Sequence, residues 1–349
     1  MDQIKGDRVR MSVTLKDLAD YVGKSVTTVS RALADYDDVS PATREQVRQA
    51  AQELGYEPNI IARQLQKKRT DTIALILPPV YPRISDPFFS ELLSGLVEQF
   101  TRHGLDLLVS VTSSSDNQTD TYLKFMRSRR ADGFIIVRTQ RQDPRIDLLR
   151  QHNYPFVAFG RIEGDNDFPL IDDDDELGVQ LVVDHLVELG HTRLAFIAEP
   201  LEFTKPYHRA QGFMKSLKSH GLPVDSALIL EGGYRQHFGQ AAAHRLLEKS
   251  NPPTAIVACN DLLCLGAVKA AQERGLIVGR DVSITGFDDI SFAEYATSPL
   301  TTVHQPAYRI GKMLCRMLVK IINQEQLTEK QIILQPKLVV RQSSGPVSK

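Results

Sequence analysis

Hydrophobic and polar positions along this chain fall into two regimes. From Ile73 onward, the short apolar runs TIALILP, LDLLVSV, GFIIVRT, PFVAFG, RLAFIAE, AIVACN and VSITGFDD alternate with helix-period segments near 89–103, 118–130, 177–190, 207–220, 238–249, 261–275 and 307–323. Runs rich in Val, Ile, Leu and Phe, with no polar position every second residue, are the pattern of strands covered on both faces. Alternating them with helices predicts parallel sheets joined by right-handed crossovers, and the length of the region suggests two such sheets.

The first 55 residues lack that alternation and predict three short helices. Thr14 can cap the first, whose Leu15, Leu18, Ala19 and Val22 form an i, i+3, i+4, i+7 stripe, with Asp17 three residues after the cap and Gly23 as the stop. Ser25 can cap the second. Ser40, followed by Pro41, can cap a third that turns Val47, Ala50, Ala51 and Leu54 inward before Gly55. A Gly-containing turn of about two residues between helices one and two is helix-turn-helix spacing.

In the stretch TTVSRAL, Val29, Ala32 and Leu33 form the inner stripe, so Val26, Thr27, Ser30 and Arg31 point away from the miniature core. Such a face can enter the major groove, where Arg donates two hydrogen bonds to guanine, Thr and Ser reach bases or phosphates, and Val meets a thymine methyl. Periodicity alone leaves a solvated three-helix docking module open as the alternative.

Charge and composition change this picture little. The chain has 349 residues, 42% hydrophobic and 24% charged, with a formal net charge of −1. Residues 1–70 hold twelve Lys and Arg against ten Asp and Glu, a slight basic excess that permits nucleic-acid binding without requiring it. No run approaches the roughly 18 apolar residues of a membrane span, and MDQIKGDRVR has no apolar signal-peptide core, so the expected location is the cytoplasm. Cys259, Cys264 and Cys315 are odd in number and lack metal-ligand spacing, which marks them as small buried apolar residues. The chain contains no GxGxxG, GxxxxGK[ST], HExxH or GxSxG sequence, so dinucleotide, P-loop, zincin and nucleophile-elbow chemistry have no support. Neither a cofactor nor a metal is expected. The acidic run IDDDDELG lies where acids also complement a helix N-terminus.

The segments TLKDLADYVGKSVTTVSRALA and VSPATREQVRQAAQELGYEPN, followed by NIIARQL, DPFF, HRAQGF, CNDLLCLGAV, SITGFDD and PLTTVHQP, resemble the lactose/galactose-repressor (LacI-type) family of bacterial transcription regulators. The likeness runs from about Met11 to Ser344, and the ordered succession of motifs is what makes it specific. It implies a helix-turn-helix DNA-binding domain over 12–58, a hinge helix and linker over 59–70, and an effector-binding and dimerisation domain over 71–344. That last part would be periplasmic-binding-protein-like, with two doubly wound lobes: 71–172 with 305–333, and 173–304 with 334–344. The resemblance assigns Val26, Thr27 and Arg31 to base readout and Ser25, Thr28 and Ser30 to the neighbourhood of the phosphates. It places Asn59 in the hinge, and Ala62 and Leu65 at the minor groove of a palindromic operator, with Leu65 wedged into the central base step. The acids Asp35, Asp37 and Asp38 beside the reading helix depart from the pattern, and they would either repel phosphate or face solvent.

For the effector the resemblance points to Asp288 and Arg209 first, then Phe88, Phe89, Tyr234, Asn260 and Gln305, with Arg161 and Lys205 further out. The chemistry would be carboxylate and guanidinium against hydroxyls, with flat rings against a sugar face. The expected protein is a non-enzymatic homodimer, a repressor of sugar uptake or utilisation genes that binds double-stranded operator DNA and is controlled by a small sugar. Only GPVSK follows VVRQSS, which leaves no heptad-bearing tail for a tetramer. The alternatives are a co-repressor design sensing a purine or other non-sugar metabolite, a transport binding protein, which would need a signal peptide and no head, and an enzyme, for which no nucleophile and base are found.

Overall fold

The computed structural model describes residues 13–56, 69–77, 86–112 and 118–347. The expected hinge, with Asn59, Ala62 and Leu65, lies outside the described residues. The chain divides into two compact units, Met1–Arg69 and Thr70–Lys349.

In the first unit, α1 (Leu15–Val22), α2 (Val26–Leu33) and α3 (Pro41–Leu54) start and stop where the caps dictate. The amide of Asp17 donates to Thr14 Oγ1 at 3.2 Å while the amide of Thr14 donates to Asp17 Oδ2 at 2.9 Å, a reciprocal capping box. Gly23 and Gly55 end α1 and α3 with φ of 66° and 63°, a region that costs glycine nothing. The core is Leu18, Ala19, Val22, Val29, Ala32, Val39, Val47 and Ala50, bordered by the partly covered Leu33, Ala51 and Leu54.

The second unit is built on two parallel sheets. The first has the order β11 (Gln331–Leu334), β5 (Leu170–Asp173), β4 (Phe156–Phe159), β3 (Gly133–Ile136), β1 (Thr72–Leu77), β2 (Asp106–Val111). Along β1, Ile73, Leu75 and Leu77 enter a core with α4 (Pro87–Arg102) and α11 (Ala307–Ile322), while Ala74 and Ile76 enter the opposite core with α5 (Gln118–Arg127) and α6 (Pro144–Gln151). Both faces of the sheet are covered, which is why β1 shows no polar alternation.

The second sheet has the order β7 (Ile229–Glu231), β6 (Leu194–Ala198), β8 (Ala255–Ala258), β9 (Ser283–Thr285). It is flanked by α7 (Asp175–Glu188), α8 (Thr204–Ser219), α9 (Gln236–Leu247) and α10 (Asp261–Glu273). The chain crosses from the first sheet to the second after β5, returns through β10 (Thr302–His304), and crosses again after β11 to β12 (Lys337–Val339), which pairs antiparallel with β10. The register Leu334↔Asp173 keeps both residues in the first sheet, one residue beyond the lobe boundaries drawn at 172/173 and 333/334. No helix among the described residues is long and apolar enough to cross a membrane.

The helix pair α9 and α10 packs backbone against backbone at Gly266, where a Cβ would sit 1.9 Å from the Gln236 carbonyl oxygen. Alanine is the better helix former by about 1 kcal/mol, but a clash with another helix's backbone outweighs that gain. Gly266→Ala is therefore expected to lower stability by roughly 1–3 kcal/mol in a denaturant titration, and an unchanged or raised midpoint would show that the two helices are not in backbone contact.

Candidate functional site

Strand carboxyl ends of both sheets converge on one cavity of about 100 Å³. Parallel sheets place their binding crevices there because loops, unlike strands, can turn polar groups inward. From the first sheet come Arg138 and Thr139 after β3 and Phe159 ending β4, with Asp86, Phe88 and Phe89 at the start of α4. The second sheet gives Glu199 after β6, Asn260 after β8 and Asp288 after β9, with Phe203, Lys205 and Arg209 at the start of α8. Gln305 enters from the end of β10.

The floor is a charge network. Lys205 Nζ lies 2.7 Å from Asp172, 3.1 Å from Asp173 and 3.3 Å from Asp175. Arg209 Nε donates to Asp175 at 2.7 Å, its Nη1 reaches Asp288 at 3.4 Å, and its guanidinium covers the Phe287 ring at 3.7 Å. Burial opposes the charge on Lys205 most strongly, yet Asp172, Asp175 and Asp173 together hold its pKa above the ordinary lysine value. The acidic run is thus taken up as counter-charge, and its remaining member, Asp174, caps α7 by accepting from the Leu177 amide at 3.1 Å.

The walls meet across the mouth. Arg138 bridges to Glu199 at 3.3 Å, and Glu199 also accepts from Asn260 Nδ2. The Thr204 amide donates to the Thr139 carbonyl at 2.9 Å, and the Arg141 amide donates to the Glu202 carbonyl at 2.9 Å. Arg138 adopts φ 52°, and a fully buried Arg145, paired with Asp143, donates to its carbonyl at 2.9 Å. That buried pair sets the direction in which the loop after β3 presents Arg138 and Thr139.

Several polar groups in the cavity are left incomplete. Arg138 Nε, Thr139 Oγ1 and Gln305 Oε1 are buried without a hydrogen-bond partner, a cost that a bound ligand would remove. Asp288 is pushed well above the carboxylate range by burial, with Arg209 pulling the other way and Asp261 adding repulsion. Asp86 is pushed up to about 6 by burial and by the nearby Glu199. Phe88 and Phe159 stack with centroids 6.0 Å apart, and the Lys205 ammonium lies 4.3 Å from the Phe159 centroid.

Of the residues expected to touch an effector, Phe88, Phe89, Lys205, Arg209, Asn260, Asp288 and Gln305 line the cavity; Arg161 and Tyr234 do not. The guanidinium of Arg161 is spent on Asp172, 2.8 Å away. Tyr234 stands behind the wall, its ring 4.2 Å from the Arg138 guanidinium and edge-on to Phe203. Sequence reasoning missed Asp86, Arg138, Thr139, Phe159 and Glu199. Asp86-Pro87 is a helix-cap signature that marked the position, whereas nothing local marks Arg138 or Glu199.

In the first unit, Val26, Thr27 and Arg31 are exposed on α2 opposite the buried Val29 and Ala32, and Ser30 is half-covered. Ser25 Oγ accepts from the Thr28 amide at 3.1 Å and lies 2.8 Å from the Thr28 hydroxyl, so both side chains serve the helix cap. The flanking acids are not idle. Asp35 pairs with Arg48 and lies 3.9 Å from Arg44, while Asp38 pairs with Arg31.

The description "Bacterial regulatory proteins, lacI family" matches residues 14–59, and "Periplasmic binding protein-like domain" matches residues 183–344. Over 341 residues the chain is 34% identical to the HTH-type transcriptional regulator AglR of Rhizobium meliloti (strain 1021), covering 96% of this chain and 95% of that protein. The chain belongs to the LacI family of bacterial regulatory proteins. A lac repressor dimer bound to operator and the anti-inducer ONPF superposes with a TM-score of 0.86 at 29% identity, covering 96% of this chain and all of that one. A complex of the transcriptional regulator CelR with cellobiose superposes at 0.73 with 31% identity, covering 95% and 99%. The protein is thus a DNA-binding transcriptional regulator with a helix-turn-helix head and a two-lobed body, and its relatives are regulators, not enzymes.

The floor network yields a stability test. Lys205→Met leaves the buried acids with one cation fewer: Asp172 loses an ammonium that helps hold it below the ordinary carboxylate range, and Asp173, already raised by burial, is pushed further up. A raised folded pKa contributes stability at low pH that is lost as pH rises through it. The variant is expected to lose roughly 3–5 kcal/mol at neutral pH and less at about pH 5; denaturant titrations giving equal losses at both would refute the network.

Proposed function

We propose that this regulator is a homodimeric repressor of sugar uptake or utilisation genes, which grips a palindromic operator and is controlled by a neutral sugar in the inter-lobe cavity. The observation that carries the effector class is the balance of spare groups. Among the cavity's cations, Lys205 is committed to Asp172, Asp173 and Asp175, Arg209 to Asp175 and Asp288, and Arg138 to Glu199. The acceptors are in surplus: Asp86 and Asp288 are both pushed toward protonation, first by burial and then by neighbouring acids. A ligand that brings several hydroxyl donors and no charge answers that deficit, and the Phe88 ring in the lining suits the apolar side of a pyranose. An anionic ligand would add to the surplus. The CelR structure was solved with cellobiose and the lac repressor structure with operator DNA, and both support extending the same pairing of ligand and DNA to this chain.

Control follows from differential affinity. A ligand that prefers one lobe arrangement shifts the population toward it by no more than the difference in its affinity for the two. In this reading, base contacts fall to Val26, Thr27 and Arg31, phosphate contacts to the Ser25, Thr28 and Ser30 neighbourhood, and the minor groove to the segment holding Asn59, Ala62 and Leu65.

Calorimetry against mono- and disaccharides, sugar phosphates and purine bases tests the class. A neutral saccharide is expected to bind, and Asp288→Asn to weaken it roughly ten- to a hundredfold, since one carboxyl acceptor oxygen becomes an amide donor that a hydroxyl-donating ligand does not match. Binding of a purine or a sugar phosphate alone would overturn the sugar reading. Because ligand hydroxyls favour the ionised carboxylates, binding lowers their pKa; affinity is therefore expected to fall as pH drops through about 6. An affinity that rises on acidification would mean that the acids act as donors instead.

A further inference from the structure

We infer that Asp38 is a specificity-determining positioning residue, which holds one edge of the Arg31 guanidinium so that the other edge is presented to a guanine. The inference rests on the DNA-reading role proposed above for α2. Arg31 Nε donates to Asp38 Oδ1 at 3.2 Å, and Nη2 lies against Oδ2. This fork uses the side edge of the guanidinium, formed by Nε and Nη2. The end edge keeps Nη1 and the second proton of Nη2, and no acceptor among the described residues takes Nη1. Two parallel donors on that edge match the O6 and N7 acceptors of guanine in the major groove.

Two further features fix the arginine. The Tyr36 ring lies 4.9 Å from its guanidinium carbon and restrains it from one face. The loop that carries Asp38 is pinned on both sides. Asp35, at φ 56°, pairs with Arg48, and Val39 is buried in the core of the head. The Tyr36 amide donates to the Arg31 carbonyl at 3.1 Å and the Val39 amide donates to the Tyr36 carbonyl at 3.2 Å, closing the loop against the end of α2. An unrestrained arginine loses the freedom of several rotatable bonds when it forks onto a base. Here that loss is incurred on folding, before DNA arrives.

A carboxylate beside a DNA-reading surface would ordinarily weaken binding to every sequence by repelling phosphate. The two roles of Asp38 therefore separate experimentally. Removing its charge raises affinity for arbitrary duplex and, if it positions Arg31, lowers the preference for guanine at one base pair of each half-site.

The test uses the full chain and a pool of randomised palindromic duplexes, sequenced after selection and followed by anisotropy titrations of the selected site and its single-base variants. For the unaltered protein, guanine is expected at one symmetric position, and Arg31→Ala is expected to abolish that preference alone. Asp38→Asn is expected to cut it roughly tenfold while binding to non-selected duplex tightens. Asp38→Glu should retain a measurable part of the preference. Asp37→Asn makes the same charge change at an exposed neighbour and should tighten non-selected binding with the preference intact. Asp38→Asn with an unchanged guanine preference would overturn the inference, as would equal losses from Asp37→Asn. Failure of the unaltered protein to select any sequence would instead overturn the DNA-reading role on which the inference depends.

Discussion

A charge removed from water must be met by another charge or by hydrogen bonds, and the body of this regulator is arranged around that requirement. Asp172 and Asp173 end a strand of the first sheet, Asp175 begins the helix that leads into the second, and Lys205 and Arg209 stand on a helix of the second. None of the five could be buried alone at acceptable cost. Their pairing is weak evidence of net stabilisation, since apolar residues of the same volume would often do as well. What it provides is position: the lobes meet in an arrangement that keeps every one of these charges matched, and Asp288 joins the set through Arg209.

The same requirement, left unfinished a few ångströms away, makes the cavity a site. Arg138 Nε, Thr139 Oγ1 and Gln305 Oε1 are buried without partners while Asp86 and Asp288 are held away from their ordinary ionisation. A packed core does not tolerate such groups without recompense. A ligand able to complete them gains most in the arrangement that buries them most fully. In the proposed function this links occupancy to lobe arrangement, and the backbone bonds between 139–141 and 202–204 are the contacts that would have to change.

Much of this was legible in the sequence, for reasons that differ by element. The head was written in its caps: Thr14 with Asp17, Ser25, and Ser40 with Pro41 each mark a helix start, and the glycines mark the stops. The strand β1 was plain because both of its faces are buried. The strands β10 (Thr302–His304) and β12 (Lys337–Val339) carry too few apolar residues to stand out, and α6 does not appear in the helix-period pattern although Asp143-Pro144 carries the same cap signature as Asp86-Pro87. At the site, Asp288, Arg209 and Gln305 could be named by resemblance, whereas Arg138 and Glu199 come from different sheets and become partners only through topology. Arg161 does not line the cavity because it turns to Asp172 at the end of the neighbouring strand, a pairing that only the sheet order reveals. The acids beside α2 looked like an anomaly in sequence, and their meaning lies in the arginines they engage.

Under the proposed function the cavity and the outward face of α2 are two ends of one equilibrium. Linkage makes that claim quantitative, because any factor by which a saturating ligand changes affinity for DNA must equal the factor by which saturating DNA changes affinity for the ligand. Anisotropy titrations of a selected palindromic duplex with and without the cavity ligand, paired with calorimetry of the ligand with and without the duplex, measure both factors. Two equal factors, between about 5 and 150, are expected. A ligand that fills the cavity and leaves the affinity for DNA unchanged would contradict the linkage.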